Sequence, residues 1–199
     1  MSEKNFSICI HTLGCRANQY ESDAIAAALC AEGFCIVTAN ERADVSIINT
    51  CTVTAESDRK SRQLIRRCRA VSAHVIVTGC FAEISPDAAK SIDGVDAVFG
   101  NKNKSSVIDT VKRFAEGSAY RREDFSEDFE SFEECGALSG GCAVRARAYV
   151  KIEDGCDRFC AYCVIPRARG RVRSKPIPEL YSELDALEMR LNRGYKVEH

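Results

Sequence analysis

The stretch Val45-Ser-Ile-Ile-Asn49 predicts a buried β-strand, because its residues are mostly apolar and β-branched. A polar, arginine-rich segment from Thr54 to Arg69 follows and has the composition of a surface helix. A second run, His74-Val-Ile-Val-Thr78, predicts another buried strand. A strand, a helix and a strand in this order are typical of a βαβ unit, in which the two strands lie parallel.

The same alternation continues on both sides of this unit. Before it we predict a strand at Phe6–Thr12, a helix at Asn18–Glu32 and a strand at Cys35–Thr38. After it we predict a helix at Pro86–Ser91, a strand at Val95–Phe99 and a helix at Ser105–Ala115. Because alternating strands and helices indicate a parallel sheet covered on both faces, we expect residues 5–116 to form an open α/β domain.

The rest of the chain divides into a linker and the start of a second domain. Residues 117–144 are polar and acidic and are expected to be a linker, whereas residues 145–199 begin with a basic stretch. In the latter we predict a strand at Ala148–Glu153 and a helix from Pro178 to about Met189. So few elements cannot bury a core of their own.

The overall composition is that of a globular protein. The chain has 199 residues, of which 45% are hydrophobic and 29% charged, and a net charge of −1. It contains no apolar run of about 18 residues, so we expect neither a transmembrane helix nor a membrane partner. Its first residues lack the apolar core of an export signal, so we expect a cytoplasmic protein.

Cysteine is the unusual part of the composition, with 12 residues. In a short secreted protein such a number would indicate disulfides. In a longer chain without an export signal, clustered cysteines indicate metal binding or redox chemistry instead.

Three cysteines form the tight motif Cys156-Asp-Arg-Phe-Cys160-Ala-Tyr-Cys163, just after a predicted strand. Thiolates are the usual ligands of iron–sulfur clusters, and three at this spacing can hold one cluster and leave one iron open. Gly155 gives the backbone freedom for the sharp bend. A zinc site is the alternative, but it normally needs four ligands, and no fourth Cys or His follows nearby.

A second set of cysteines is spread along the sequence but shares a position. Cys15, Cys51 and Cys80 each follow a predicted strand, and a glycine precedes two of them. Because the carboxyl ends of parallel strands lie at one edge of a sheet, we expect these three to meet there. The alternative is three unrelated loop cysteines. The remaining cysteines are expected to be small buried residues (Cys9, Cys30, Cys35, Cys68) or free linker thiols (Cys135, Cys142).

With these motifs the chain resembles the methylthiotransferase family of radical S-adenosylmethionine enzymes. The resemblance extends from about Phe6 to Glu188. The segments that carry it are Thr12-Leu-Gly-Cys-Arg-Ala-Asn-Gln-Tyr-Glu-Ser22, Asn49-Thr-Cys-Thr-Val-Thr54, Val77-Thr-Gly-Cys80 and Lys151-Ile-Glu-Asp-Gly-Cys-Asp-Arg-Phe-Cys-Ala-Tyr-Cys-Val-Ile-Pro166.

The resemblance implies an N-terminal open-sheet domain, followed by the start of an incomplete radical S-adenosylmethionine (β/α) barrel. It implies two [4Fe-4S] clusters. One binds S-adenosyl-L-methionine and is held by Cys156, Cys160 and Cys163; the other is auxiliary, takes part in sulfur transfer and is held by Cys15, Cys51 and Cys80. Tyr162 is expected near the adenine of S-adenosyl-L-methionine, with ordinary packing as the alternative. No catalytic residue is assigned beyond the cluster ligands.

The implied reaction adds a methylthio group to C2 of an adenine in tRNA. A reducing electron donor is required, because an electron from the cluster cleaves S-adenosyl-L-methionine to a radical that removes the C2 hydrogen. The wording Gly14-Cys-Arg-Ala-Asn-Gln19 is closest to the branch that acts on N6-threonylcarbamoyladenosine beside the anticodon. The branch that acts on isopentenyladenosine is the alternative.

A basic stripe follows the second cysteine motif and is a candidate for RNA contact. Its residues alternate, so an extended chain would place them on one face, where they could contact tRNA phosphates. The alternatives are a solvated loop or internal salt bridges to the acidic linker. The stripe consists of Arg167, Arg169, Arg171, Arg173 and Lys175.

Family members continue well past the length of this chain, and no second barrel strand is recognisable. We therefore expect an incomplete fragment with exposed apolar surface. Two classes of function stay open. The chain is a tRNA methylthiotransferase, alone or with a second chain that completes the barrel, or it is a non-catalytic iron–sulfur remnant. Reductive cleavage of S-adenosyl-L-methionine discriminates between them.

Overall fold

A five-stranded parallel sheet forms the centre of the computed structural model, which describes residues 6–38, 41–52, 54–118 and 149–192. Neighbouring strands in the sheet follow the order β2-β1-β3-β4-β5, and all four pairs are parallel. The predicted α/β fold is thereby confirmed. The strands are β1 (Ser7–Thr12), β2 (Cys35–Val37), β3 (Ala43–Thr50), β4 (Ser72–Gly79) and β5 (Ala97–Val98).

A helix lies in sequence between each two strands that pair in the sheet, as parallel pairing requires. Helix α2 begins where its sequence favours it: the Thr54 hydroxyl caps the Ser57 amide, and acidic residues occupy the first turn and basic residues the last. A short helix directly after β4, α3, was not predicted. The helices of this part are α1 (Arg16–Ala31), α2 (Ala55–Arg69), α3 (Cys80–Ile84), α4 (Pro86–Lys90) and α5 (Ser106–Ala115).

The sheet is buried on both faces, which explains the continuous apolar runs of its strands. Ile47 of β3 faces a cluster that includes Ile25 of α1 and Val111 of α5. Its neighbour Ile48 points to the opposite face and packs in a cluster with Ile65 of α2. The period-2 alternation of a strand thus divides one run of residues between two cores.

The second part of the described chain is less regular than expected. The strand predicted at Ala148–Glu153 is wrong for residues 149–152, and only β6 (Glu153–Asp154) pairs, antiparallel, with β7 (Arg173–Ser174). The side chain of Lys151 instead reaches buried carboxylates of the first part. Helices α6 (Ile165–Arg169) and α7 (Ile177–Asn192) complete this part.

Exposed apolar side chains concentrate in this second part, in agreement with the expected apolar surface. They include Ile152, Ile177, Tyr181, Leu184 and Met189. Most of the linker predicted at 117–144 lies outside the described residues, and so do Cys135 and Cys142. The domain boundaries therefore stay predictions. Among the described helices, none combines the length and the apolarity that a membrane crossing would require.

Replacing Ile47 by Ala should destabilise the fold strongly. Ile47 is fully buried in the central strand, opposite Ile10 and Ile76 of the neighbouring strands. We expect a loss of about 2–5 kcal/mol in the free energy of unfolding, measured by urea denaturation, because the cavity cannot collapse in a sheet packed on both sides. Val71→Ala is the control, since Val71 is 45% exposed. Equal losses in the two variants would contradict the assigned core.

Candidate functional site

The carboxyl ends of three neighbouring strands carry the three dispersed cysteines. In the sheet register, Thr12 of β1 lies opposite Asn49 of β3, and Thr50 lies opposite Gly79 of β4. Cys15, Cys51 and Cys80 follow these strand ends directly or within three residues. The structure therefore brings all three to one edge of the sheet, as the topology predicts.

Glycine allows the chain segments at this edge to approach closely. Gly14 has φ +95°, and a Cβ placed on it would lie 2.7 Å from the Cys51 sulfur. Gly79 also has φ +95°, and a side chain there would overlap the Thr50 backbone. Since L-residues with a side chain rarely adopt this conformation, only glycine fits at both positions. The loop of Cys15 thereby contacts Cys51.

The three thiols differ in exposure. Cys51 and Cys80 are buried, at 4% and 2% exposure, whereas Cys15 is exposed. Burial raises the pKa of Cys80, and the nearby Arg169 and the Asn101 amide partly offset that effect. The Asn101 amide lies 3.5 Å from the Cys80 sulfur. The three thiols are soft metal donors, and solvent reaches this set at Cys15.

The second cysteine motif forms the loop between β6 and α6. The Cys156 amide donates to the Gly170 carbonyl at 3.1 Å, and the Cys163 amide donates to the Cys160 carbonyl at 2.9 Å. Gly155, with φ +83°, has no room for a side chain against the Arg171 backbone. Cys160 is exposed, and the other two are half-buried. These backbone contacts gather three thiols in one short loop.

Neither set is a ready-made metal site. Within the described ranges, no three side chains of Cys, His, Asp or Glu are arranged so that they could hold a metal ion as they stand. Thiols are the usual ligands of iron–sulfur clusters, so three thiols at one sheet edge and three in one short loop fit such clusters chemically. The assignment of Cys15, Cys51, Cys80, Cys156, Cys160 and Cys163 as ligands stays a prediction.

A buried carboxylate, Glu21 of α1, joins the two parts of the chain. It forms an ion pair with Lys104, with Lys151 at 3.1 Å and with Arg169 at 2.7 Å. These side chains are at most 10% exposed. Asp154 completes the group, 3.3 Å from Lys151 and 3.0 Å from Arg169. We call these five residues the Glu21 network.

The groups at the centre of the Glu21 network are ionised at neutral pH. Burial raises the pKa of Glu21, but Lys104, Arg169 and Lys151 together hold it well below its usual range. Burial lowers the pKa of Arg169, and the two carboxylates outweigh that effect and raise it. The Asn18 side chain accepts a further hydrogen bond from Arg169 at 2.6 Å. The buried charges are thus paired and hydrogen-bonded, as their desolvation requires.

The Glu21 network places the cysteine loop against the sheet edge. Arg169 immediately precedes Gly170, whose carbonyl accepts from Cys156, and Asp154 lies two residues before Cys156. The Asn101 amide donates to the Ala168 carbonyl at 2.6 Å and also lies beside Cys80. The helix that ends the second cysteine loop therefore lies beside Cys80.

Sequence reasoning missed this network, although one signal for it was present. Glu21 lies four residues before Ile25 and eight before Leu29, so helical spacing puts a charged residue on the buried face of α1. Its partners Lys104, Lys151 and Arg169 are distant in sequence. No periodicity in one chain segment could have identified them.

The basic stripe does not form one extended face, which corrects the sequence prediction. Arg169 is only 4% exposed, and Lys175 pairs with Glu183 at 2.6 Å. The guanidinium of Arg173 lies 3.7 Å from Asp154. Internal salt bridges account for these three, but among the described residues the partners are Glu21, Asp154 and Glu183, and not residues of the acidic linker, as the alternative above expects. Arg167 and Arg171 are exposed, and their contact with RNA stays a prediction.

Tyr162 and the cysteines outside the two sets differ in their exposure to solvent. Tyr162 is 94% exposed, so the described residues give it no packing role, and its place near the cofactor stays a prediction. Cys9 and Cys68 are buried as expected, but Cys35 is exposed, because it opens the edge strand β2.

Known proteins similar to this chain cover nearly all of it. Residues 7–100 match the family described as "Uncharacterized protein family UPF0004". Threonylcarbamoyladenosine tRNA methylthiotransferase MtaB of Aquifex aeolicus is 35% identical and covers 95% of this chain, and that of Thermotoga maritima is 38% identical and covers 96%. A tRNA-2-methylthio-N(6)-dimethylallyladenosine synthase of Thermotoga petrophila is 34% identical. The chain spans 46%, 42% and 41% of these three relatives.

Solved structures of similar fold come from a more distant protein. The radical S-adenosylmethionine methyltransferase TsrM from Kitasatospora setae, with cobalamin and a [4Fe-4S] cluster bound, matches with a TM-score of 0.57 at 16% identity. A second structure of it, with tryptophan and a cofactor analogue, gives 0.58 at 17% identity. Each covers 94% of this chain, which spans 46% of TsrM. The likeness concerns the fold.

Glu21→Gln should weaken the attachment of the cysteine loop. Removing one partner of a buried ion pair leaves the remaining charges uncompensated and typically costs about 3–5 kcal/mol. We expect faster amide hydrogen exchange in residues 149–175, with little change in β3. Glu56→Gln is the control: Glu56 pairs with Arg59 at the surface and should have no measurable effect. Unchanged exchange in Glu21→Gln would contradict the role of the network.

The same variant should alter the response to acid. Because the folded pKa of Glu21 lies below its ordinary value of 4.5, its contribution to stability is present above that pH. The contribution is lost as the pH falls towards the lowered pKa. Urea unfolding of the wild type should therefore become easier below about pH 4.5. In Glu21→Gln this part of the pH dependence should be missing, and an identical pH profile would argue against a paired Glu21.

Proposed function

Because this chain carries a UPF0004 domain and is homologous to the tRNA methylthiotransferases over nearly its whole length, we propose that it is a radical S-adenosylmethionine tRNA methylthiotransferase. The observation that carries the proposal is that the helix ending the second cysteine loop lies beside Cys80, at the sheet edge of the first cysteine set. Cys15, Cys51 and Cys80 lie at the carboxyl edge of the sheet, and the Glu21 network holds the other set beside that edge.

The proposed reaction attaches a methylthio group to C2 of N6-threonylcarbamoyladenosine beside the anticodon. Support comes from the relatives named for this activity, which are 34–38% identical and include one from Bacillus subtilis. Isopentenyladenosine is the alternative substrate, because synthases of that second type are 30–34% identical. Mass spectrometry of nucleosides from tRNA treated with the chain would separate the two.

Two [4Fe-4S] clusters are proposed as resident groups. Cys156, Cys160 and Cys163 would hold the cluster that binds S-adenosyl-L-methionine, and Cys15, Cys51 and Cys80 the auxiliary cluster. When bound, the first cluster supplies the electron that cleaves S-adenosyl-L-methionine, after reduction by an external donor. Cytoplasmic localisation is part of the same proposal.

In the proposed reaction, the residues of this chain hold the cysteine loop in place and orient S-adenosyl-L-methionine. Gly155 lets the loop turn sharply against the Arg171 backbone, and Arg169 anchors the end of that loop to Glu21. Tyr162 projects into solvent from between two ligands, where it can cover the adenine of S-adenosyl-L-methionine. Because the second cysteine loop lies beside the sheet edge with the first cysteine set, one bound target base can be close to both.

The proposed partners are tRNA and a second chain that completes the barrel. The tRNA is the substrate, and the exposed Arg167 and Arg171 beside the loop are candidate phosphate contacts. A second chain that completes the barrel stays a prediction. The exposed apolar side chains of Ile177, Tyr181 and Leu184 on α7 offer a surface for it.

Iron content tests the ligand assignment. After anaerobic reconstitution we expect about eight irons and eight acid-labile sulfides per chain, as two [4Fe-4S] clusters require. Cys156→Ala and Cys51→Ala should each lose about four irons. Cys35→Ala is the matched control, since this exposed cysteine opens β2 and is outside both sets.

The pattern of loss decides between the two classes of function. Formation of 5′-deoxyadenosine under reduction, abolished by Cys156→Ala, would support the enzyme. About four irons that are lost only in Cys51→Ala, with no cleavage of S-adenosyl-L-methionine, would support a non-catalytic iron–sulfur protein instead. Full iron content in both variants would refute the ligand sets.

A further inference from the structure

Along one side of helix α2 runs a surface depression lined by arginines, which no function above uses. Its lining consists of Arg59, Arg62, Gln63, Arg66, Arg67 and Ala70, and its volume is about 560 Å³. These positions follow the spacing i, i+3, i+4, i+7, i+8 and i+11, which is one face of an α-helix. We call this feature the α2 groove.

Among the described residues, most of the positive charge in the α2 groove has no acidic partner. Arg59 pairs with Glu56 at 2.8 Å. Within the part of the chain that the structure describes, Arg62, Arg66 and Arg67 have no carboxylate within ion-pair distance. Like charges at i and i+4 repel each other and destabilise a helix. A ligand with several negative charges would relieve that repulsion.

The α2 groove begins at the sheet edge that carries the dispersed cysteines. The Arg62 guanidinium lies over the Phe81 ring, 5.0 Å from its centre, and Phe81 directly follows Cys80. On the same helix, the Ser61 hydroxyl donates to the Cys51 carbonyl at 3.3 Å. A ligand that lies along the groove is therefore led towards Cys51 and Cys80.

The dimensions of the α2 groove match a nucleic-acid strand. Arg59 and Arg67 are eight residues apart, which corresponds to about 12 Å along a helix. One strand of a nucleic-acid duplex places about three to four phosphates over that distance along its axis. Guanidinium groups are well suited to phosphate, since their planar donors can form two parallel hydrogen bonds.

We propose that the α2 groove binds the phosphate backbone of the substrate RNA and directs it to the edge where Cys51 and Cys80 lie. The inference rests on the proposed function and adds to it the surface that holds the RNA. It differs from the sequence prediction, which assigned RNA contact to the stripe from Arg167 to Lys175.

The test compares salt-dependent RNA binding of two double variants of the full 199-residue chain. Arg66→Gln with Arg67→Gln removes two charges from the α2 groove and spares Arg62, which packs on Phe81. Arg42→Gln with Lys90→Gln removes two exposed charges elsewhere. Fluorescence anisotropy with a labelled RNA stem–loop, at salt concentrations from about 50 to 200 mM, gives affinity and salt slope.

We expect the groove variant to bind RNA about tenfold more weakly at low salt, with a log–log salt slope that is smaller by about 2, roughly one per phosphate contact. The control variant should keep the wild-type slope. Thermal melting followed by circular dichroism checks that both variants fold. We expect both to fold, because the substituted side chains are exposed.

Three outcomes would overturn the inference. One is an unchanged affinity and slope in the groove variant, and another is the absence of RNA binding by the wild-type chain. The third is tighter binding of anionic lipid vesicles than of RNA, lost in the groove variant. Iron content and cleavage of S-adenosyl-L-methionine are measured without RNA, so the proposed function can stand or fail separately.

Discussion

The ion pair between Glu21 and Arg169 is the interaction on which the arrangement of the site depends. It joins residues 148 positions apart, and both side chains are almost fully removed from water. A single buried carboxylate would be costly, but three cations surround it, and Asp154 in turn pairs with two of those cations. Such a buried group tolerates few geometries, since each charge must keep its partners. It therefore specifies how the loop from Cys156 to Cys163 lies against the sheet.

Parallel strand topology supplies the other half of the site. Because β1, β3 and β4 are neighbours and point the same way, three cysteines far apart in sequence end at one edge. Glycines at positions 14 and 79 let the backbones at that edge approach each other closely. The network then brings the second cysteine set to the same edge. Sheet topology thus gathers the first cysteine set at one edge, and the buried ion pairs hold the end of the second cysteine loop beside Cys80.

Arginine has two different roles in this protein, and burial separates them. Arg169 is buried, paired and structural, whereas Arg66 and Arg67 are exposed and lack carboxylate partners in the described ranges. Sequence alone favoured the arginines after Cys163, because they alternate regularly. In the structure Arg169 cannot contact a phosphate in solution, because its guanidinium is buried, whereas Arg167 and Arg171 stay exposed. Exposed arginines also lie on α2.

The sequence by itself determined the alternation of strands and helices and the strand-end position of Cys15, Cys51 and Cys80. Both follow from local patterns, namely apolar β-branched runs and the residues that end them. It also singled out the loop from Cys156 to Cys163, because the spacing is local. Only the tertiary structure decided the fate of the basic stripe, the irregular backbone at residues 149–152 and the Glu21 network. Those features depend on desolvation and on partners distant in the chain, which no local pattern encodes.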